Sequence, residues 1–314
     1  MAGESSSMHI VTHNPQGKIH VVTPVLARPF ANLQEMQGYT HELLAKPEIV
    51  NHPVLIVYHE HPFNRSFSPT RSAVNKENRA LSRSLPKGAT IAYSIFEKVH
   101  SQKIQGERHE SNTGYFVQAR PNETGTKSVR TSYSKIRQVA GDAQQRRLGT
   151  EYEKSTIAWS NRKLQTLALL KAGVRDFPST MVDGQEFTLR VCVDTIDFGC
   201  KAHQITVTPA NGLDHFPDRH PFAIINDYFN ATPAQGVVLV EPNVPYKPGV
   251  KEIELKIIVV DKQGKLKNAI TTKWEEGRGY NVQTTLKPSG EQAQRELLEM
   301  LKRRNVCLHV AVAK

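Results

Sequence analysis

Residues 127–175 constrain this chain more than any other stretch, because helical patterning and concentrated positive charge coincide there. Eleven Lys/Arg (Lys127, Arg130, Lys135, Arg137, Arg146, Arg147, Lys154, Arg162, Lys163, Lys171, Arg175) face three carboxylates (Asp142, Glu151, Glu153). Thr150 and Glu153 have the capping-box spacing, in which a hydroxyl and a carboxylate satisfy free N–H groups at a helix start. Gly173 falls where a left-handed C-terminal cap is needed, and Pro178 follows. At helical spacing Ile157, Leu164, Leu167 and Ala168 form one stripe, with Tyr152, Trp159, Arg162, Lys163 and Leu170 roughly opposite. The spacing predicts a helix whose second face is either buried or built to stack bases and neutralise phosphates. A preceding helix is expected from Ile136, Val139, Ala140 and Ala143, ending at Gly149.

Charge is distributed unevenly along the 314 residues. Met1–Glu60 holds three basic and five acidic residues, and Asp176–Lys314 holds seventeen of each. His61–Arg175 carries twenty-one basic against eight acidic, so the whole positive excess lies in the middle third. A block this confined points to an anionic partner. No run reaches membrane-span length, and the polar start MAGESSS is expected not to be a signal peptide. Nucleic acid is therefore the partner expected, and a membrane is not. Three cysteines (Cys192, Cys200, Cys307) lie at no metal spacing, which fits free packing thiols in a reducing compartment, cytoplasmic or nuclear.

Taken in order, Met8–Thr23 reads as a hairpin about a turn at Asn14–Gly17, with His9, His13 and His20 on its arms. A helix is expected from Asn32 to about Lys46, stopped by Pro47, and a buried strand from Pro53 to Tyr58. Asn64–Gly88 is rich in Ser, Arg and Asn and predicts a short solvated helix near Ala73–Leu81 or a basic loop. Strands are expected at Thr90–Phe96 and Gly114–Ala119, with the polar run SQKIQGERHESNT connecting them. Past a boundary near Asp176–Ser179 the chain is strand-rich. Gln185–Asp194 alternates, with Phe187, Leu189, Val191 and Val193 on one side. Glu252–Val260 and Lys265–Trp274 predict a hairpin with its turn at Asp261–Gly264. Ser289 and Gln292 cap a helix to about Arg304, and Val306–Ala313 forms the last strand.

Two groupings could carry metal chemistry. His59 and His61, two apart at the end of an apolar strand, share a side and could hold a divalent metal, with Asp214, His215, Asp218 and His220 as distant partners. Glu254 and Lys256 also lie two apart on a strand. With Asp218 they could bind Mg²⁺ and position water for phosphodiester cleavage, although alternating charges also suit the solvent face of a hairpin. Phosphate-binding glycine loops, G-x-S-x-G elbows and C-x-x-C pairs do not occur in the sequence.

The sequence thus predicts an α+β protein with mixed, largely antiparallel sheets and helices packed on one side. It divides at 1–175, ending in a basic helical middle third, and 176–314, strand-rich with a final helix and strand. RNA or single-stranded DNA binding without catalysis or cofactor is expected. Arg130, Lys135, Arg137, Arg146, Arg147, Lys154, Arg162 and Lys163 would neutralise phosphates, and Trp159, Tyr152 and Tyr133 would stack bases. The alternatives are a divalent-metal nuclease or phosphodiesterase using Asp218, Glu254 and Lys256, and a coat or scaffold protein assembling into a homo-oligomer.

Overall fold

The computed structural model describes residues 8–59, 62–64, 66–104, 107–119, 131–134, 177–189, 191, 204–209, 237–242, 252–258, 264–266, 270–275, 279–281 and 290–313. Sheet one is built from β1 (Met8–His13), β2 (Ile19–Val25), β3 (Val54–Val57), β4 (Ala89–Ile104), β5 (Glu107–Gln118), β6 (Thr131–Ser134) and β14 (Val306–Ala313), in the order β1-β14-β2-β3-β4-β5-β6. Sheet two joins β7 (Ser179–Val182), β8 (Gln185–Leu189), β9 (Gln204–Pro209), β10 (Val237–Pro242), β11 (Glu252–Ile258), β12 (Ile270–Glu275) and β13 (Gly279–Asn281) in unbroken sequence order. Both sheets are mixed. In sheet one β14, β2, β3 and β4 run parallel between antiparallel flanks, and in sheet two only the β8–β9 ladder is parallel. Three helices are described: α1 (Leu33–Leu44), α2 (Arg71–Ser84) and α3 (Gly290–Arg303).

Every residue of β2 and β3 is buried, as expected of central parallel strands covered on both faces. Alternation sends Ile19, Val21, Leu55, Val57, Ala92 and Phe116 toward sheet two, where they meet Val182, Phe187 and Leu189. Val22, Val54, Ile56, Tyr58, Ile91 and Tyr93 point the other way, under Leu33, Met36 and Leu43 of α1 and Val74 and Leu81 of α2. The helices do not all lie on one side, because Leu297, Met300 and Leu301 of α3 join the core between the sheets.

Helix ends follow local chemistry. Asn32 Oδ1 accepts the Glu35 N–H at 2.9 Å, and Thr70 Oγ1 accepts the Ala73 N–H at 3.2 Å, so α1 and α2 each begin on a side-chain cap. Residues 64–88 therefore contain a helix of fourteen residues, longer than expected, with Val74, Asn78, Leu81 and Ser82 buried.

Two expectations fail, one because a ladder partner need not be local and one because a strand pair can run on through polar sequence. The Asn14–Gly17 turn forms, with Gly17 N–H donating to Asn14 O at 2.9 Å, but β1 and β2 do not pair. β14 lies between them, antiparallel to β1 and parallel to β2. The polar run after Phe96 is mostly strand, since β4 and β5 continue their ladder from Thr90↔Gln118 to Ile104↔Glu107 with one irregularity. The expected hairpin partners pair, β11 antiparallel to β12 from Glu252↔Glu275 to Ile257↔Ile270, and the expected turn lies, apart from Gly264, outside the described residues. Within 127–175, Thr131–Ser134 is a strand paired with β5, and the two expected helices lie outside the described residues. The strand-rich second half also sends its last strand back into sheet one.

Candidate functional site

Two features stand out, a cationic face on α2 and a buried histidine–cysteine cluster. Along α2 the apolar face settles on β4 and β5, and Asn78 Oδ1 accepts the Tyr93 hydroxyl at 2.6 Å. That seating turns Ser72, Lys76, Arg79 and Arg83 outward along one stripe, all exposed, with exposed Lys87 just beyond the helix. Among the described residues no ion pair involves Lys76, Arg79 or Arg83. Arg71 is different. Its Nε lies 2.9 Å from Oε1 of Glu97, a fully buried carboxylate on β4. Thr113 Oγ1 donates to the same oxygen at 2.9 Å and Tyr115 OH to Oε2 at 2.6 Å. Glu97 is thus neutralised and hydrogen-bonded from three sides, and it clamps the start of α2 to the sheet.

The second feature lies where β14 enters between β1 and β2. Parallel pairing sets Cys307 opposite His20, and antiparallel pairing sets His309 opposite Thr12. Cys307 and His309, two apart on β14, share the face away from sheet two, as does His20. All three are buried. His20 Nδ1 and His309 Nε2 are 2.9 Å apart, and Cys307 Sγ is 3.3 Å from the same Nε2. Thr12 Oγ1 lies 3.0 Å from His309 Nδ1. His52, exposed in the loop before β3, stacks on His20 with ring centroids 3.8 Å apart. Burial pulls His309 down to about 4, with the nearby His20 and His52 adding to it, and burial pushes the Cys307 thiol up to about 11. Burial thus favours the uncharged forms of His309 and Cys307, and the thiol is not the thiolate a cysteine nucleophile needs.

The residues expected from sequence are only partly placed. Tyr133 sits on β6 opposite Gly114. Arg130, Lys135, Arg137, Arg146, Arg147, Tyr152, Lys154, Trp159, Arg162, Lys163, Asp218 and His61 lie outside the described residues. His59 is buried just past β3 and belongs to no described group of three ligating side chains. The ladder register sets Glu254 opposite Lys273 and Lys256 opposite Glu241. The His20–Cys307–His309 cluster was missed, although Cys307-Leu308-His309 shows the same two-residue strand spacing as His59 and His61.

No protein-family model and no curated protein matches the sequence. Among solved structures, a Xanthomonas campestris protein described as a CN-hydrolase superfamily member with an arsenic adduct in its active site is similar at 12% identity. The overlap covers 95% of each chain at a TM-score of 0.33, which fixes neither a fold family nor an activity. No described helix is long and apolar enough to cross a membrane.

Proposed function

We propose that the protein binds single-stranded nucleic acid, RNA or DNA, through a cationic surface in its middle third, without chemistry of its own. The observation that supports this is the α2 stripe of Lys76, Arg79 and Arg83, exposed and without an ion pair among the described residues. A solvated helix face needs no such excess of one sign, and phosphates spaced along a strand are its natural complement. Arg130 through Lys163 of the basic segment would extend the surface, with Tyr133, Tyr152 and Trp159 as stacking groups. Arg71 is not part of it, because Glu97 already holds its charge.

The test is a salt series on the full chain with a single-stranded oligonucleotide. Each phosphate that is no longer neutralised lowers the slope of log K against log salt by about 0.7. Replacing Lys76, Arg79 and Arg83 together by Ala should therefore reduce the slope by about 2, and Arg146→Ala with Arg147→Ala should reduce it further. Binding that does not change with salt, or a triple variant that keeps the full slope, would overturn the proposal. Mg²⁺-dependent cleavage of the oligonucleotide that is lost in Glu254→Ala would instead favour the nuclease. Concentration-dependent self-association would favour the assembly protein.

A further inference from the structure

We infer that His20, Cys307 and His309 form a binding site for a borderline-soft divalent cation of the Zn²⁺ class, bridging strands β2 and β14. The inference is independent of nucleic-acid binding, since none of these side chains lies on the cationic stripe. Their ligating atoms all fall within 4.8 Å of one another. Zn–N bonds near 2.0–2.1 Å and a Zn–S bond near 2.3 Å, set tetrahedrally, require edges of roughly 3.3 Å between nitrogens and roughly 3.6 Å between nitrogen and sulfur. The observed separations of 2.9 and 3.3 Å need only open by a few tenths of an ångström. Small side-chain rotations supply that without moving either strand.

Tautomers are arranged for it. With Thr12 Oγ1 accepting the His309 Nδ1–H, His309 Nε2 presents its lone pair to the cluster. In the ion-free protein that lone pair accepts the His20 Nδ1–H. On binding, His20 takes the other neutral tautomer and turns its Nδ1 lone pair to the ion. The thiol loses its proton to solvent, so one proton is released per ion and the site gains one unit of positive charge. Two imidazoles and a thiolate select Zn²⁺ over Mg²⁺ or Ca²⁺, which prefer oxygen ligands. His52, the exposed ring stacked on His20, lies between the cluster and solvent, and water would complete the coordination.

Co²⁺ serves as the spectroscopic probe. Full-length protein, reduced and treated with chelator, should take up one equivalent and show a thiolate-to-Co²⁺ charge-transfer band in the near ultraviolet that Zn²⁺ abolishes. Cys307→Ser should remove the band, whereas Cys192→Ser with Cys200→Ser should keep it. Thr12→Val should weaken binding roughly 10- to 100-fold by freeing the His309 ring. Should Cys307→Ser fail to fold, His20→Gln decides, with at least a tenfold loss of affinity expected. Absence of the band in the natural chain, or a band that survives Cys307→Ser or full affinity in His20→Gln, would overturn the site.

Discussion

Replacing Gly17 by Ala tests the most unexpected feature of the fold, the entry of β14 between β1 and β2. Gly17 is buried in the turn after β1, and a Cβ there would stand within 3.0 Å of Val306 C, Val306 O and Cys307 N. Its φ is not positive, unlike those of Gly88, Gly184 and Gly264, so the backbone tolerates Ala and only the contact is at stake. Ordinary contact begins near 3.4 Å, so the start of β14 must retreat by about an ångström. It cannot do so freely, because the same strand is laddered to β1 from Met8 to His13 and to β2 from Ile19 to Val25. Overpacking costs about 1–3 kcal/mol, and one or two weakened ladder hydrogen bonds add roughly 1 kcal/mol each. A destabilisation of about 3 kcal/mol follows. Gly38 supplies the opposite case. It is exposed in the middle of α1, with nothing within 4 Å of an added Cβ, so Gly38→Ala should stabilise by about 0.8 kcal/mol through helix propensity. Urea unfolding of the two variants should displace the midpoint in opposite directions, with Gly17→Ala lower by about 1 M for a slope near 3 kcal/mol/M. A Gly17→Ala midpoint within about 0.2 M of the natural chain would refute the wedge between β1 and β2.

Two further outcomes follow from buried charge. Arg71→Ala leaves the Glu97 carboxylate buried without its cation. Because Arg71 is itself half-exposed and water can partly replace it, the cost in urea unfolding should sit near 3 kcal/mol, the low end for a broken buried pair, with no change in the salt slope of oligonucleotide binding. In chelator, stability should also fall as pH drops from 6.5 toward 4. Over that window the unfolded chain gains a proton on His309 that the native state, with its value held near 4, refuses. The loss is on the order of 3 kcal/mol at most. His20, also depressed, adds in the same direction, and His309→Gln should flatten the curve measured by urea unfolding across that range.

Elements set by neighbouring residues were legible in the sequence. Asn32 and the apolar spacing after it gave α1, and the run Val306–Ala313 gave β14 to its ends. What escaped was decided by distant partners. The turn at Asn14–Gly17 carries real hairpin chemistry, including Asn14 at φ 53, yet nothing within it records that Val306 will press against Gly17. Gly264 resembles a hairpin turn residue and also makes distant contacts. Its carbonyl accepts from His13 at 2.8 Å, and a Cβ added there would meet Val11 and Val310. The histidine–cysteine cluster was hidden for the same reason. His20 and His309 are 289 positions apart, and only the register of β14 brings their rings together.

The same topology decides how the cationic surface must be studied. Residues 61–175 hold the whole positive excess, which invites excision as a fragment. Yet β4 needs β3 along one edge, and its inner residue Ala92 packs with Phe187 and Leu189 of sheet two. α2 also rests on α1, where Gln37 Nε2 donates to Glu77 O at 3.1 Å and His41 Nε2 lies 3.0 Å from Ser84 Oγ. Cutting at 61 removes β3 and α1, and cutting at 175 removes sheet two, so the fragment would expose apolar surface on both faces of what remains. Polyanion binding by such a piece would reflect a collapsed basic chain as readily as a built site. Only the intact protein, with α2 seated on its sheet, can show whether Lys76, Arg79 and Arg83 act as one surface.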